Sequence, residues 1–135
     1  MNVLMLVKNS EVGGVLSCVK SLSDGLRQAG DTVVIGTCEG EGVEKMLYDH
    51  DVKIIDFSAK SPMKMLKCYQ QIKELVRKYN VDIIHAQNRI PALYAAAYCM
   101  LHPRVKYIWS NHLVPLPSSF LYRLTTRYGK FAVAE

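Results

Sequence analysis

Short apolar runs alternate with amphipathic stretches along the whole chain. The first run, at residues 2–7, ends in a polar loop that carries Gly13 and Gly14, and apolar residues then recur at helical spacing up to Gly30. This succession predicts a strand, a glycine loop and a helix. The later runs predict further strands at 32–35, 52–57, 81–85, 105–109 and 131–134, and the stretches between them predict helices at 42–50, 62–79, 91–101 and 118–128.

The longest predicted helix has a defined start and one apolar stripe. Ser61 stands directly before Pro62, which is the usual order of an N-cap residue and a proline at the first helical position. Asn80 is expected to end the helix. The apolar residues that recur on one face are expected to lie against the sheet; they are Met63, Leu66, Tyr69, Ile72, Val76 and Tyr79.

The alternation of strands with helices predicts an α/β fold, in which right-handed crossovers place helices on both faces of a parallel sheet. The near-continuous apolar strands agree, because parallel strands are buried on both sides. The chain is therefore expected to form one Rossmann-like domain over residues 1–135. Such sheets bind ligands at the carboxyl ends of their strands, which directs the search for a site to 8–14, 37–42, 57–61, 86–90 and 110–117.

Length and composition fit this expectation. The chain has 135 residues, enough for one domain with a buried core. The apolar run near the N-terminus is far shorter than the roughly 20 residues that a membrane span needs, and no signal-peptide cleavage pattern follows it. The four cysteines, at 18, 38, 68 and 99, form no CxxC pair, which favours reduced thiols in a cytoplasmic protein.

The net charge of +5 is unevenly distributed. Residues 31–56 hold seven acidic and two basic side chains, whereas residues 60–80 hold one acidic and six basic side chains. Residues 102–135 hold one acidic and five basic side chains. Two basic segments are compatible with nucleic acid, an anionic membrane surface or a phosphorylated substrate as a partner. Solvated helix faces are the alternative explanation.

Gly13 and Gly14 follow the first strand and open the first helix. The unpaired backbone amides and the dipole at a helix N-terminus favour an anion such as phosphate. The spacing matches neither the GxGxxG fingerprint nor a Walker loop, which makes a nicotinamide dehydrogenase a weak candidate. A simple tight turn is the alternative reading of the two glycines.

Polar residues follow the strand predicted at 81–85. Gln87, Asn88 and Arg89 lie in the loop after it, where they can donate hydrogen bonds to hydroxyl groups or to an anion. Capping of the next helix is the alternative role. His85 ends the strand and is expected to be a buried imidazole that a backbone group satisfies.

A second polar loop follows the strand predicted at 105–109. His112 lies there next to Asn111, in a loop that two prolines stiffen, and it is a good candidate for an acid, a base or a hydroxyl ligand. The sequence contains no GxSxG elbow and no HExxH motif, which removes support for a hydrolase or a metalloenzyme.

Taken together, these residues resemble the N-terminal half of a GT-B glycosyltransferase. The resemblance is to the large retaining family that includes bacterial mannosyltransferases and the sugar transferases of lipopolysaccharide, capsule and glycolipids. The double glycine and the helix after it, within 12–34, are similar to the family's opening loop and its helix end L-x-x-x-G-H-x-V. Residues 81–87 resemble the strand D-V-V-H-A-H, and residues 107–112 resemble the strand end T-x-H. Gln87 and Asp31 depart from the pattern, since they stand where the family has histidine.

The resemblance implies the acceptor-side domain of an enzyme that moves a sugar, with retention, from a nucleotide-sugar donor to a saccharide or lipid-linked acceptor. It implies His112 as the catalytic residue beside the sugar-transfer site. The implied substrate-binding residues are Gly13, Gly14, Gln87, Asn88, Arg89 and Asn111. It also implies that transfer needs no metal and no cofactor besides the donor nucleotide sugar.

In the family, the donor nucleotide is held mainly by a second, C-terminal domain. That domain is not expected within residues 1–135, so the chain is expected to be an incomplete N-terminal half that transfers no sugar by itself. Family members that glycosylate lipids often dock on membranes through a basic helix of this domain. The basic segment at 60–80 therefore suggests a peripheral position at the inner face of the membrane.

Two other classes of protein stay open. One is a non-catalytic binding module with the same fold. The other is a protein that binds membrane or nucleic acid through its basic surface. No nucleic-acid partner is expected, because the basic segments lack interleaved base-stacking geometry and any known nucleic-acid motif.

Overall fold

The computed structural model describes residues 1–8, 11–58, 60–111 and 132–134. The elements in these segments are β1 (Asn2–Val7), α1 (Gly14–Gln28), β2 (Thr32–Thr37), α2 (Glu41–Met46), β3 (Asp51–Ile54), α3 (Pro62–Lys78), β4 (Ile83–Ala86), α4 (Arg89–Leu101), β5 (Lys106–Asn111) and β6 (Ala132–Ala134). All six strands predicted from the sequence are present, as are the first four helices. The helix predicted at 118–128 lies outside the described residues.

The six strands form one parallel sheet in the order β3-β2-β1-β4-β5-β6. Successive connections move outward from β1 to β3, and the chain then returns to the other side of β1 to add β4, β5 and β6. The order therefore reverses between β1 and β4. This is the Rossmann-like α/β architecture that the sequence predicted, and the reversal opens a crevice at the carboxyl ends of these two strands.

Different helices cover the two faces of the sheet. On one face, Leu4 and Leu6 of β1 pack in an apolar cluster with residues of α3 and α4. On the other face, Val3, Met5 and Val7 pack with residues of α1. Successive side chains of a strand point to opposite faces. The unbroken apolar sequence of β1 is thus explained by burial on both sides.

The ends of α3 form as the sequence predicted. Ser61 is the N-cap residue, and its hydroxyl oxygen accepts a hydrogen bond from Lys64 N at 3.3 Å, while Pro62 takes the first helical position. At the other end, Asn80 adopts a positive φ of 50°. Asparagine tolerates this left-handed conformation better than most residues, which explains its place just past the helix.

The apolar stripe predicted for α3 is only partly buried. Ile72 and Val76 lie in the core, but Met63 is 84% exposed and Leu66 is 57% exposed, so the prediction that they face the sheet is wrong. The first fully packed residue of the helix is Cys68. The first turns of α3 therefore extend past the covered part of the sheet, although their periodicity continues that of the buried turns.

A substitution at Gly36 in β2 would test how tightly this core is packed. A methyl group at this position would lie 2.7 Å from Ile55 Cδ1 and 2.9 Å from Leu6 Cδ2, and both side chains are buried. We expect Gly36→Ala to lower the free energy of unfolding, measured by urea denaturation, by about 1–2 kcal/mol. Gly25→Ala is the control, since it lies in α1 with open space around it and should stabilise by about 0.5–1 kcal/mol. Equal effects of the two substitutions would contradict the packing described.

Candidate functional site

The carboxyl ends of β1 and β4 lie side by side and bring two loops together. Leu6 pairs with Ala86 in the last matched positions of these strands. Beyond them, Gln87 N donates to Leu6 O at 2.9 Å, and Lys8 N donates to the side-chain oxygen of Asn88 at 2.8 Å. These bonds join the start of the glycine loop to the loop after β4. The two loops flank the crevice.

The glycine pair opens α1 without any side-chain cap. Gly13 is the N-cap residue, in an extended conformation with φ 175°, and neither it nor Gly14 adopts the left-handed conformation that favours glycine. A Cβ atom on either glycine would meet nothing within 4 Å. The first turn of α1 also contains no acidic residue. This helix start thus has no side-chain cap and no crowding at either glycine, and amides at such a start are suited to bind an anion.

A buried polar cluster lies beside the crevice. His85 Nε2 is 2.8 Å from Ser110 Oγ and 3.2 Å from Gln87 Nε2, and all three residues are buried. His85 is thus a buried imidazole, as predicted, and side chains are among its partners. Gln87 is 1% exposed and turned into the protein. The cluster links the carboxyl ends of β4 and β5 through side chains, in addition to the backbone pairing.

The remaining predicted site residues have different positions. Asn88 and Arg89 are half-buried at the start of α4, beside the crevice. Asn111 is the last residue of β5 and pairs with Ala134 of β6, while its side chain lies outside the described residues. His112 also lies outside them. The structure therefore joins Lys8, at the start of the glycine loop, to Asn88 in the loop after β4. The contact between His85 and Ser110 is one that sequence reasoning missed.

Charged groups occupy the same edge of the sheet near the start of α3. Asp56 Oδ1 accepts hydrogen bonds from the hydroxyl and the amide of Ser58, at 2.5 and 3.0 Å. These bonds, with smaller contributions from Lys64 and Lys67, hold the pKa of the Asp56 carboxyl below its ordinary value. This carboxylate stays ionised at neutral pH and lies among lysines.

Two cysteines of the core are poor candidates for nucleophiles. Burial raises the pKa of the Cys68 thiol to about 11, and it does the same for the Cys99 thiol. Both thiols stay protonated at neutral pH, and only a thiolate is an effective nucleophile.

A cavity of about 520 Å³ lies at the opposite edge of the sheet. Its lining includes Arg77, His102 and Arg104, near the C-terminal ends of α3 and α4. His102 is held there by its Nδ1 atom, 3.0 Å from Tyr98 O, and by stacking on the Tyr98 ring. We assign the functional site to the crevice and not to this cavity, because the crevice lies at the reversal of strand order and holds open helix amides.

Comparisons with known proteins bear on the family of the chain and on its fold. Residues 12–134 match the sequence model described as Glycosyltransferase Family 4. A search of curated protein sequences found no significant match.

Three solved structures show the fold relationship. A glycosyltransferase from Rickettsia africae ESF-5 is 25% identical, with a TM-score of 0.78 over 98% of this chain. MurG of Acinetobacter baumannii and HepE of Anabaena, the latter in complex with UDP and glucose, are each 16% identical, with TM-scores of 0.75 and 0.73 over 98% of this chain. The chain spans only 36%, 40% and 37% of these three proteins, respectively.

The buried cluster generates a stability prediction. His85→Ala leaves Gln87 and Ser110 with buried polar atoms that lose a partner, and we expect a loss of about 1–3 kcal/mol in the free energy of unfolding. Adding Ser110→Ala to this variant should cost less than it does in the wild-type background, because the two residues share one contact. Chemical denaturation of the four proteins provides the measurement, and strictly additive losses would show that the contact contributes nothing.

Proposed function

The chain belongs to Glycosyltransferase Family 4, and from this premise we propose that it forms the acceptor-side domain of a sugar transferase. The donor would be a nucleotide sugar and the acceptor a saccharide or glycolipid of the cell envelope. The observation that carries the proposal is the open start of α1 at Gly13 and Gly14, beside the loop after β4. We further propose a hexosyl transfer with retention and without a metal, as the resemblance to the retaining GT-B enzymes implies.

This chain is much shorter than the solved structures that it resembles, and this supports a donor site formed by two domains of the whole enzyme. HepE was solved with UDP and glucose, and this chain covers 37% of HepE. We propose that the principal donor contacts lie in a second domain of the whole enzyme. The 135 residues by themselves are then expected to bind a nucleotide sugar weakly and to transfer nothing.

The proposed reaction requires stabilisation of the departing diphosphate and orientation of the acceptor hydroxyl. The bond between the sugar C1 atom and the diphosphate oxygen breaks, a bond from the acceptor oxygen to C1 forms, and the proton of the acceptor hydroxyl passes to the departing diphosphate. The amides of Gly13 and Gly14 would stabilise the negative charge on the departing diphosphate. His112 would contact the reacting centre, while Asn88, Arg89 and Asn111 would orient hydroxyl groups.

Gln87 has a more restricted role in this proposal. Its side chain is buried against His85, so it would shape the wall of the crevice and leave the direct binding of hydroxyl groups to its neighbours. Gln87 stands where the family pattern has histidine, and in this chain the side chain at that position is turned inward.

A second proposal concerns an anionic membrane as partner. The first turns of α3 expose three large apolar side chains, Met63, Met65 and Leu66, which are 84%, 46% and 57% exposed. Lys64 and Lys67 lie among them on the same turns. We name Met63, Lys64, Met65, Leu66 and Lys67 the α3 patch, and we propose that it docks on anionic lipid.

The position of the α3 patch supports this docking. A helix that follows a parallel strand starts at the carboxyl edge of the sheet, so the patch lies on the same edge as the crevice. A docked protein would present the crevice toward the lipid surface, which suits a lipid-linked acceptor. None of the helices in the described part of the chain is long and apolar enough to cross a bilayer. We propose a peripheral location at the cytoplasmic face of the membrane.

The sugar-transfer proposal predicts a large effect of one histidine. In the whole enzyme, His112→Ala should lower kcat about a hundredfold or more while the melting temperature changes little, if the imidazole contacts the reacting centre. Turnover with a panel of nucleotide sugars and candidate acceptors provides the measurement. His85→Ala is the control, since it should act mainly through stability. A silent His112→Ala, with His85→Ala controlling turnover, would falsify the assignment, and intact binding without any turnover would indicate the non-catalytic module.

The membrane proposal predicts salt-sensitive binding to vesicles. Co-sedimentation should be stronger with anionic than with neutral lipid, and should weaken at high salt. Lys64→Gln with Lys67→Gln should reduce binding about thirtyfold, at about 1 kcal/mol for each lysine. Met63→Ser should also reduce it, whereas Met100→Ser, 70% exposed near the end of α4, is the matched control and should not. Equal binding to neutral and anionic lipid would contradict electrostatic docking, and binding to neither would mean that the α3 patch is only a solvated helix face.

A further inference from the structure

We propose that Asn88 is a positioning residue that holds the glycine loop in place at the crevice. Asn88 is the N-cap residue of α4, with φ −135° and ψ 164°, yet its side chain makes no cap hydrogen bond. Its side-chain oxygen instead accepts a hydrogen bond from Lys8 N at 2.8 Å, across 80 residues of sequence. The residue best suited to cap its own helix is therefore used to join two loops.

The sequence of α4 explains this choice. An N-cap oxygen usually accepts from the amide of the second or third helical residue, as Ser61 does from Lys64 at the third position of α3. In α4 the third position is Pro91, which has no N–H. Asn88 thus lacks one of its two normal local partners, and Lys8 N supplies a donor for the same oxygen.

The bond lies where it controls the glycine loop. Lys8 is the first residue after β1, Gly13 ends the same connection, and Gly14 is the first residue of α1. The neighbouring bond from Gln87 N to Leu6 O continues the β1–β4 pairing, and the Asn88 bond extends it by one more step. The root of the glycine loop is thereby fixed to the loop after β4. The Nδ2 group of Asn88 has no partner among the described residues and remains able to donate to a ligand.

The effect of Asn88 on ligand binding rests on the proposed function, but its hydrogen bond with Lys8 N can be tested without substrate. Amide hydrogen exchange of Lys8, referred to that of Met5 in the middle of β1, should be about tenfold faster in Asn88→Ala. Asn88→Asp keeps an acceptor oxygen and should retain most of the protection. Asn2→Ala is the matched control: it removes a carboxamide bond to Asn80 O at the other end of β1, and it should leave Lys8 unchanged.

Pro91→Ala separates this proposal from a general stabilising role of Asn88. The substitution restores an N–H at the third helical position, so the Asn88 oxygen gains a competing local donor. Lys8 exchange should then become faster although Asn88 is intact. Unchanged Lys8 exchange in Asn88→Ala would overturn the proposal, and unchanged exchange in Pro91→Ala would overturn the account of why the side chain leaves its helix.

A titration of the whole enzyme with UDP tests the consequence for binding. Asn88→Ala should weaken UDP binding severalfold, while Asn2→Ala should leave it as in the wild type. If the wild-type protein binds neither UDP nor any other nucleoside diphosphate, the proposed function fails, and the exchange results still decide the role of Asn88. If UDP binds wild type and Asn88→Ala equally while Lys8 exchange differs, the bond exists but does not position the loop for this ligand.

Discussion

The parallel pairing of β1 with β4 is the constraint on which the rest of the structure depends. β1 is the strand at which the order of the sheet turns, with β2 on one side and β4 on the other. Its residues from Val3 to Val7 are at most 4% exposed, and they join the apolar clusters of both faces. Because both strands end at the same edge, their loops must meet there. The open helix start of α1 and the bond between Lys8 and Asn88 both follow from this meeting.

Three polar residues at this edge, His85, Gln87 and Ser110, are buried in contact with one another. Leaving a buried donor or acceptor unpaired costs about 1–3 kcal/mol, and the contacts among His85, Gln87 and Ser110 offset that cost. Thr37 Oγ1 and Trp109 Nε1 are buried without a hydrogen-bond partner among the described residues. Thr37 ends β2 and Trp109 lies near the end of β5, so the edge that holds the crevice also holds unsatisfied polar atoms.

The sequence predicted what depends on local periodicity and missed what depends on distant contacts. The apolar runs located all six strands, and the Ser61-Pro62 pair located the start of α3. Periodicity identified which residues of α3 share a face, but not where that face leaves the sheet, and so the exposure of Met63 was missed. The Asn88 bond was equally invisible, since it joins residues 80 positions apart. The loop sequence could not show that Gln87 turns inward either. Gln87 contacts His85 of β4, and His85 in turn contacts Ser110 of β5.

The most direct test of the site assignment is a nuclear magnetic resonance titration of the isotope-labelled 135-residue chain with UDP. Binding is expected to be weak, and this measurement detects weak binding residue by residue. The predicted result is a set of amide shift changes that saturate together at Gly13, Gly14 and Asn88. Changes confined to Arg77, His102 and Arg104, which line the cavity at the opposite edge, would contradict the account and move the nucleotide site away from the crevice.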